Sequence, residues 1–427
     1  MRKMKDSGVE WIGEIPEDWE VKPLKYLGRF SSSGIDKKIV KNEDLVKIIN
    51  YVDVYNNPNF ELYNGNYMTV SASKNQIKEH LVKKGDFIFT PSSETVEEIG
   101  MSALVMEDLE NTAFSYHVIR FVFNNDNDVF FRYRRYLCNN SYVYNHFMIL
   151  AKGTTRKTLK RSDFNDTKVI LPPLKTQIKI ASHLDNKLIE ISNVKEAIVE
   201  ELQTLEVYKK SVITEAVTKG LDKNAEMKDS GIEWIGEIPK HWNVEKLKYL
   251  GTSNNETAIY NKGERFIGLE HVGSFNGKVT GQDTDYDECE TPIFEKGDFL
   301  FSKLRPYLAK GFLAERGGFC TSELIRIKFN EEQCNRFFKY LLLSHKFIDL
   351  INSMTYGVKM PRTSWQELKE QFLTVPPGLE QEEIANYLDE KCGSIDEVIT
   401  IKQNQLSLLD EYKKSLIYEY VTGKREV

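Results

Sequence analysis

Ala151–Arg161 reads AKGTTRKTLKR. Five of its eleven residues, Lys152, Arg156, Lys157, Lys160 and Arg161, are basic, none is acidic, and Thr154, Thr155 and Thr158 add hydroxyls. Such groups neutralise phosphates, and a guanidinium can grip both acceptors on a guanine edge. A related segment, YGVKMPRTSW from Tyr356, carries Lys359 and Arg362, and SKLRPYLAK from Ser302 carries Lys303, Arg305 and Lys310. Two polar loops offer amides, hydroxyls and rings suited to reading base edges. They hold Tyr55, Asn56 and Asn57 after NYVDV, and Ser274, Phe275 and Asn276 after GLEHV. Ordinary turn chemistry is the competing account of both loops.

Catalytic groupings are missing. There is no GxGxxG and no GxxxxGK[ST], and GSFNGKV at Gly273 has the wrong spacing for a phosphate loop. The two diprolines lack the flanking residues of an amino-methyltransferase loop. Leu171 and Val375 stand where Asn or Asp is needed, and Leu174 and Gly378 where an aromatic is needed. The seven histidines form no HxxxH or HExxH pair. Asp6 with Glu20-Val21-Lys22 imitates a nuclease constellation, an accident expected in a chain with 29% charged residues. The five cysteines are scattered without a CxxC pair, so neither a zinc ribbon nor a disulfide framework is supported. The chemistry on offer is binding, not bond-making.

The elements that must position these residues come in two copies. From Met4 to Gly28, compared with Met227 to Gly251, 19 of 25 positions are identical, at an offset of 223. KGDFIF at Lys84 matches KGDFLF at Lys296, and LPPLKTQIKIASHLDNK at Leu171 matches VPPGLEQEEIANYLDEK at Val375. A period above 200 residues is too long for a solenoid and means two whole domains in tandem. Each copy has a repeated entrance, a divergent middle and a repeated exit.

The exits read as long helices. Ile180, Leu184, Ile191, Val194, Ile198, Leu205, Tyr208 and Val212 fall on one alternating 3–4 spacing, as do Ile384, Leu388, Ile395, Val398, Leu409, Tyr412 and Leu416. That pattern predicts a coiled-coil seam, buried most simply by pairing one helix with the other. Gly220 and Gly423 mark the expected helix ends. In the middles, KKGDFIFTP, AFSYHVIRFVFN, GERFIGLEHV and ELIRIKFN have the alternation of strands, while VFFRYRRYLCNN and QCNRFFKYLLLSHKFIDLINSM read as helices.

The chain of 427 residues carries net charge −6. Residues 180–219 and 380–427 hold −2 and −5 of it, leaving the remainder at +1. The acid therefore belongs to the helices. No apolar run approaches the roughly 20 residues that cross a bilayer, and a signal-peptide core is lacking, so a cytoplasmic protein is expected.

The stretch GDFLFSKLRPYLAKG, the block PPGLEQEEIANYLDEKCGSIDEVI and its weaker twin PPLKTQIKIASHLDNKLIEISNVK resemble the specificity subunit of Type I restriction–modification systems. The resemblance covers essentially the whole chain. It departs in the first copy, where Thr176 replaces the usual Glu before Gln177, and TPSSETVEEIG replaces the FSKLRPYLAK form.

The resemblance implies an α+β chain. A target-recognition domain at 1–175 precedes a central conserved long helix at 176–220. A second recognition domain at 221–379 precedes a C-terminal conserved long helix at 380–427. The helices pair as an antiparallel coiled coil with pseudo-twofold symmetry. It further implies a non-catalytic subunit that reads a bipartite double-stranded DNA sequence, one half per domain. Two methyltransferase subunits and two ATP-dependent restriction subunits would dock on it. S-adenosylmethionine, ATP and Mg would sit on those partners, with no cofactor in this chain. A recognition module severed from a fused enzyme should hold one recognition domain, not two. A tandem scaffold that binds only proteins should show no salt-dependent binding to DNA.

If the paired helices set the distance between half-sites, seven residues added in phase to both, about 10.5 Å of helix, lengthen the unspecified spacer by about three base pairs. Sequencing the methylated motif checks this, and an unchanged spacer refutes it.

Overall fold

Each copy is closed by its own two ends. The computed structural model describes residues 3–57, 59–125, 128–283, 285–355 and 359–427. In it, strand Glu20–Pro23 of the first entrance pairs antiparallel with Lys168–Leu171, which leads into the first diproline. Asn243–Lys246 pairs in the same way with Phe372–Val375. Ahead of each lies a short hairpin, Met4–Asp6 with Glu14–Pro16 and Met227–Asp229 with Glu237–Pro239.

The expected strands and helices form between these closures, except in GERFIGLEHV, where only Phe266–Ile267 is a strand and Leu269–His271 winds into a single 3-10 turn. In the first copy, Phe87–Phe89 and Ile119–Phe123 join Gly28–Ser32, Ser102–Val105 and Glu61–Leu62 in a five-stranded sheet. A three-stranded sheet of Thr112–Phe114, Asp44–Ile49 and Met68–Ala72 accompanies it. The second copy has two four-stranded sheets, one centred on Leu324–Phe329 and Phe299–Ser302, the other on Cys289–Phe294 and Gly318–Cys320.

The repeated KGD turn has a structural cause. Gly85 and Gly297 adopt φ of 91° and 92°, a region that favours glycine. The aspartate that follows is buried, at 5% exposure for Asp86 and 1% for Asp298. Each accepts a backbone N–H three residues back, at 3.0 and 2.7 Å, and faces an arginine from a neighbouring strand, Arg120 at 3.7 Å or Arg326 at 2.5 Å. Burial pushes the Asp86 carboxyl above its ordinary value, against the pull of the Lys83 N–H and Arg120.

The long helices run over Leu174–Lys219 and Gly378–Val421, each starting directly after its diproline. A buried glutamine ties each start to its own domain. The Gln177 amide donates to the Pro172 carbonyl at 2.9 Å and accepts from the Phe130 N–H at 2.8 Å. Gln381 repeats this with Pro376 and Cys334, both at 2.9 Å. About two turns further on, Asp185 takes Arg132 at 3.1 Å and the Tyr136 hydroxyl at 2.7 Å, and Asp389 takes Arg336 and Tyr340, both at 2.7 Å. Burial would raise the Asp389 carboxyl, but the Tyr340 and Arg336 hydrogen bonds outweigh it and hold it below its ordinary value.

By its contacts the chain divides inside these helices, not at their ends. One unit comprises residues up to Ala197 together with Gln405–Val427; the other is Ile198–Asn404. Each helix lends half of its apolar stripe to each core. In the first unit Ile180, Leu184, Leu188 and Ile191 share a core with Leu416, Ile417, Tyr420 and Val421. In the second, Val212, Ala216 and Val217 share one with Ile384, Ala385, Leu388 and Cys392.

Ion pairs between the helices fix an antiparallel direction in both units. They are Lys195–Asp410 at 2.6 Å in the first, and Lys209–Asp396 and Lys402–Glu201, both at 2.5 Å, in the second. The seam is narrower than the spacing predicts. Val194, Tyr208, Val398 and Tyr412 are exposed, at 48, 45, 40 and 48%. Near these positions charged pairs reach across, where a full coiled coil would interdigitate apolar side chains.

Each helix ends against an entrance. Gly220 and Gly423 have φ of 73° and 71°. A Cβ on Gly423 would lie 2.4 Å from Pro16 and 3.1 Å from Trp19, and one on Gly220 would lie 3.0 Å from Trp242. Close approach and a left-handed backbone both demand glycine here. Pro16 is the sheet partner of Met4, so the chain's last helix finishes beside its first strand.

Lys223 and Asn224, in the polar junction between the copies, are exposed. A circular permutant starting at Lys223, with Val427 joined to Met1 by a short flexible linker, is therefore expected to fold. Its melting temperature should lie within a few degrees of the parent's. Insolubility of the permutant beside a soluble parent overturns the closure.

Candidate nucleic-acid interface

The basic segment of the first unit is a small hairpin laid on another loop. Lys152 and Thr158 exchange backbone hydrogen bonds of 3.1 and 2.8 Å, with Gly153 at φ 119° allowing the tight return. Lys157–Thr158 pairs antiparallel with Ser92–Ser93, and the Leu159 N–H donates to the Pro91 carbonyl at 2.9 Å. Buried Leu159 pins the hairpin, while Lys152, Thr154, Thr155, Arg156, Lys160 and Arg161 are exposed and Lys157 is half-buried. Lys157 donates to the Gly153 carbonyl at 2.8 Å, and Arg156 to the Ser92 hydroxyl at 3.1 Å. Among the described residues none of the five basic side chains pairs with an acid, so their charge faces solvent.

Tyr55 belongs to the same surface. Its hydroxyl bonds Glu98, which also accepts from Ser93 at 3.3 Å, and its ring lies 5.5 Å from that of Tyr51. The Tyr51 hydroxyl reaches Ser93 at 3.3 Å. Nearby His117 feels this field. Burial, then the charges of Lys37 and Arg156, hold its imidazole below the ordinary value and so neutral at pH 7. Asn56 is exposed, but Asn57 is spent on its own turn, accepting from the Glu61 N–H at 3.1 Å and donating to the Glu61 carbonyl.

The second unit makes the same junction with different side chains. Leu304 bridges Arg362, and the Thr363 N–H donates to the Lys303 carbonyl at 2.9 Å, the counterpart of Leu159 on Pro91. Here most cations are engaged. Arg362 pairs with Glu323 at 3.0 Å, Lys303 donates to the Ser322 carbonyl and Lys310 to the Leu269 carbonyl, both at 2.6 Å. Lys359 is exposed, while Tyr356, Gly357 and Val358 lie outside the described residues.

Arg305 is different. It is exposed, makes no ion pair among the described residues, and sits at φ 51°, ψ 62°. Ala309, at the far end of the turn Pro306–Leu308, is left-handed too, at φ 45°. Non-glycine residues there store about 1–2 kcal/mol each. The turn is held in place by the Arg305 N–H on the Pro361 carbonyl at 2.8 Å and the Phe275 N–H on the Ala309 carbonyl at 3.1 Å.

The loop of Ser274 and Asn276 is fastened to the helices. The Phe275 ring stacks on His345 at 4.3 Å beneath the Lys210 ammonium, and Lys278 pairs with Asp396 at 3.3 Å. Asn276 accepts from the Lys278 N–H at 3.0 Å to close its own turn. Ser274 bridges Lys310, and both residues of the loop remain exposed.

The structure thus joins the hairpin at 152–161 with Tyr55, and the turn at 303–310 with Arg362 and Ser274. Sequence reasoning missed Tyr51, Ser92, Ser93 and Glu98. They form a polar floor under the first hairpin, and the only hint of it was the un-apolar run TPSSETVEE.

The model of the Type I restriction modification DNA specificity domain matches residues 16–204 and 239–409. The chain is 26% identical to a Methanocaldococcus jannaschii protein assigned as the MjaX type I restriction enzyme specificity subunit, over 97% of this chain and 96% of that one. It is 21% identical to the EcoKI specificity subunit of Escherichia coli, over 96% of this chain and 90% of the other. A solved structure concerned with complex assembly and conformational transition of the type I R-M system superposes with a TM-score of 0.73. That match has 14% identity and covers 96% of this chain and 99% of the other. The HsdS subunit from Thermoanaerobacter tengcongensis does so at 0.53 and 15% identity, over 96% and 98%. These two likenesses are of fold.

Arg305→Gly separates strain from charge. Glycine accepts the left-handed backbone, so the melting temperature is expected to hold or rise slightly. Affinity for duplex DNA is expected to fall, by about tenfold for one lost charged contact of ~1.4 kcal/mol. Calorimetry and filter binding check the two halves separately.

Proposed function

The chain belongs to the Type I restriction–modification DNA specificity family, and from that premise we propose that each unit reads one half of a bipartite DNA target. The observation that carries this reading is the twice-built junction of two loops. The backbone pairing is the same in both units, and the side chains it presents are not. One unit offers exposed Arg156, Lys160 and Arg161 over a floor of tyrosine and serine hydroxyls. The other offers Arg305 and Lys359. A shared scaffold with divergent tips is what reading two different half-sites requires, since base edges are distinguished by which donors and acceptors meet them.

The chain is not itself an enzyme in this reading. It is the recognition subunit of a complex, and two methyltransferase subunits and two ATP-dependent restriction subunits dock on it. S-adenosylmethionine, ATP and Mg are held by those partners, and the complex works in the cytoplasm. No described helix is long and apolar enough to cross a membrane. The helix Gly378–Val421, with ten acids against four lysines, and the hairpin at 152–161, with five cations and no acid, favour this division of labour, because phosphates are repelled by one surface and attracted by the other.

Changing Arg156, Lys157 and Arg161 together to alanine is expected to weaken DNA binding. The slope of log affinity against log salt should flatten by about 0.9 per lost phosphate contact, up to about 2.7 for three. Exposed substitutions cost under about 0.5 kcal/mol each, so the melting temperature should barely move. Filter binding across a salt series checks this. A wild-type chain whose binding ignores salt would instead be a scaffold for proteins alone.

A further inference from the structure

The repeated entrance contains more identity than the fold consumes. Its shared apolar residues are accounted for by burial: Ile12 and Ile235, Ile15 and Ile238, Trp19 and Trp242, Leu24 and Leu247, Leu27 and Leu250 are all at most 4% exposed. Its shared small polar residues close turns. Asp6 and Asp229 accept the N–H of Gly8 and Gly231, each at 2.9 Å, and Ser7 and Ser230 accept that of Val9 and Ile232, each at 3.2 Å. Lys25 and Lys248 make the same bond in both copies, to Asp166 at 2.7 Å and to Glu370 at 2.9 Å.

Tyr26 and Tyr249 have no such duty. They stand outward on the turns Leu24–Leu27 and Leu247–Leu250, at 67% and 63% exposure. Among the described residues neither hydroxyl makes a hydrogen bond. Among the described residues each ring's one cation–π or aromatic contact is the neighbouring ammonium, 5.7 Å away at Tyr26 and 5.3 Å at Tyr249. A solvated surface position tolerates most residues at little cost. The same large aromatic, held the same way twice in a chain whose middles have diverged, answers to something outside the fold.

We propose that Tyr26 and Tyr249 are equivalent anchors, each docking one copy of the same protein partner, the methyltransferase subunit. This rests on the reading above that two copies of one partner assemble on the chain. Two features favour a protein over DNA. First, the lysines beside each ring are already engaged by carboxylates. Lys25 faces Asp166, Lys22 faces Glu20 at 2.6 Å, and Lys246 and Lys248 share Glu370, whose carboxyl their hydrogen bonds hold down at about 2. A phosphate would have to displace a carboxylate already in place, for a surplus of one positive charge at Tyr249 and none at Tyr26. Second, Lys25, next to Tyr26, is bonded to the Asp166 end of the helix Arg161–Asp166, while the basic hairpin leads into the Arg161 end. An exposed tyrosine brings large rigid area and one hydroxyl at small entropic cost, which is why it recurs as a centre of protein interfaces. The partner surface it fits is an apolar slot with one acceptor for the phenol.

The test uses the full chain with the methyltransferase subunit encoded beside it, and native mass spectrometry to count subunits. Wild type should carry two copies. Tyr26→Ala and Tyr249→Ala should each carry one at a concentration that saturates wild type. The double variant should carry none, with affinity about 30-fold weaker per site, the ~2 kcal/mol of an interface anchor. Phenylalanine at both positions should restore most of the binding, which separates loss of the ring from misfolding. DNA binding by the chain alone should be unchanged. A double alanine variant that still carries two copies at wild-type affinity overturns the assignment. One that keeps its partners but loses DNA affinity makes these tyrosines DNA contacts and overturns it equally. A wild-type chain that binds no methyltransferase subunit defeats the underlying reading, and the anchors with it.

Discussion

Two buried tryptophans hold the architecture to its plan. Trp19 and Trp242 are 1% and 0% exposed, and the side chain of neither is covered by its own entrance alone. Each is closed over by the end of a long helix from the other copy's sequence, at a glycine that lets the backbone come within van der Waals distance. Uncovering such a residue is worth several kcal/mol, a large part of a domain's net stability. From this single contact the rest follows. Each helix must span both cores, each core must be built from two distant pieces of chain, and the two ends of the polypeptide must meet. The repeated phrase exists because the entrances and helix ends have to recognise one another twice.

The charges divide along the same line. The helix Gly378–Val421 carries ten acids against four lysines and the helix Leu174–Lys219 seven against seven, and several of these acids are at work there. Asp185 and Asp389 receive the recognition domains, while Glu201, Asp396 and Asp410 join helix to helix. The cations proposed to meet DNA lie on loops at the ends of strands, anchored by backbone hydrogen bonds that do not depend on the side chains presented. Loop tips can then differ in chemistry without disturbing the sheets beneath, which suits the proposed reading of two different half-sites.

Local patterns in the chain announced the two copies, the long helices and most strands, because periodicity and self-similarity are properties of neighbours. What escaped them were relations over distance. That residues 91–93 meet 157–159 follows from a crossing of loops some 65 positions apart, with no local signature. The seam was drawn too wide because apolar spacing continues through Val194, Tyr208, Val398 and Tyr412, where the helices are bound by charge. Counting cations in SKLRPYLAK could not reveal that Lys303 and Lys310 are committed to carbonyls while Arg305 is not. Asn57 and Asn276 look like base readers and serve as turn closers, because an amide beside a bend finds its own backbone first.

The division of the chain also sets a timetable. The unit Ile198–Asn404 is continuous and is fully synthesised before the chain is finished. The other lacks Leu416, Ile417, Tyr420 and Val421 until Gln405–Val427 has been made. Domains ordinarily mature in the order they are made. Here the order is inverted: the copy translated first must wait, its tryptophan open to water, for the final turn of helix to arrive. Loss of Gln405–Val427 to a nonsense codon or a protease would therefore damage the unit of residues up to Ala197, leaving Ile198–Asn404 intact.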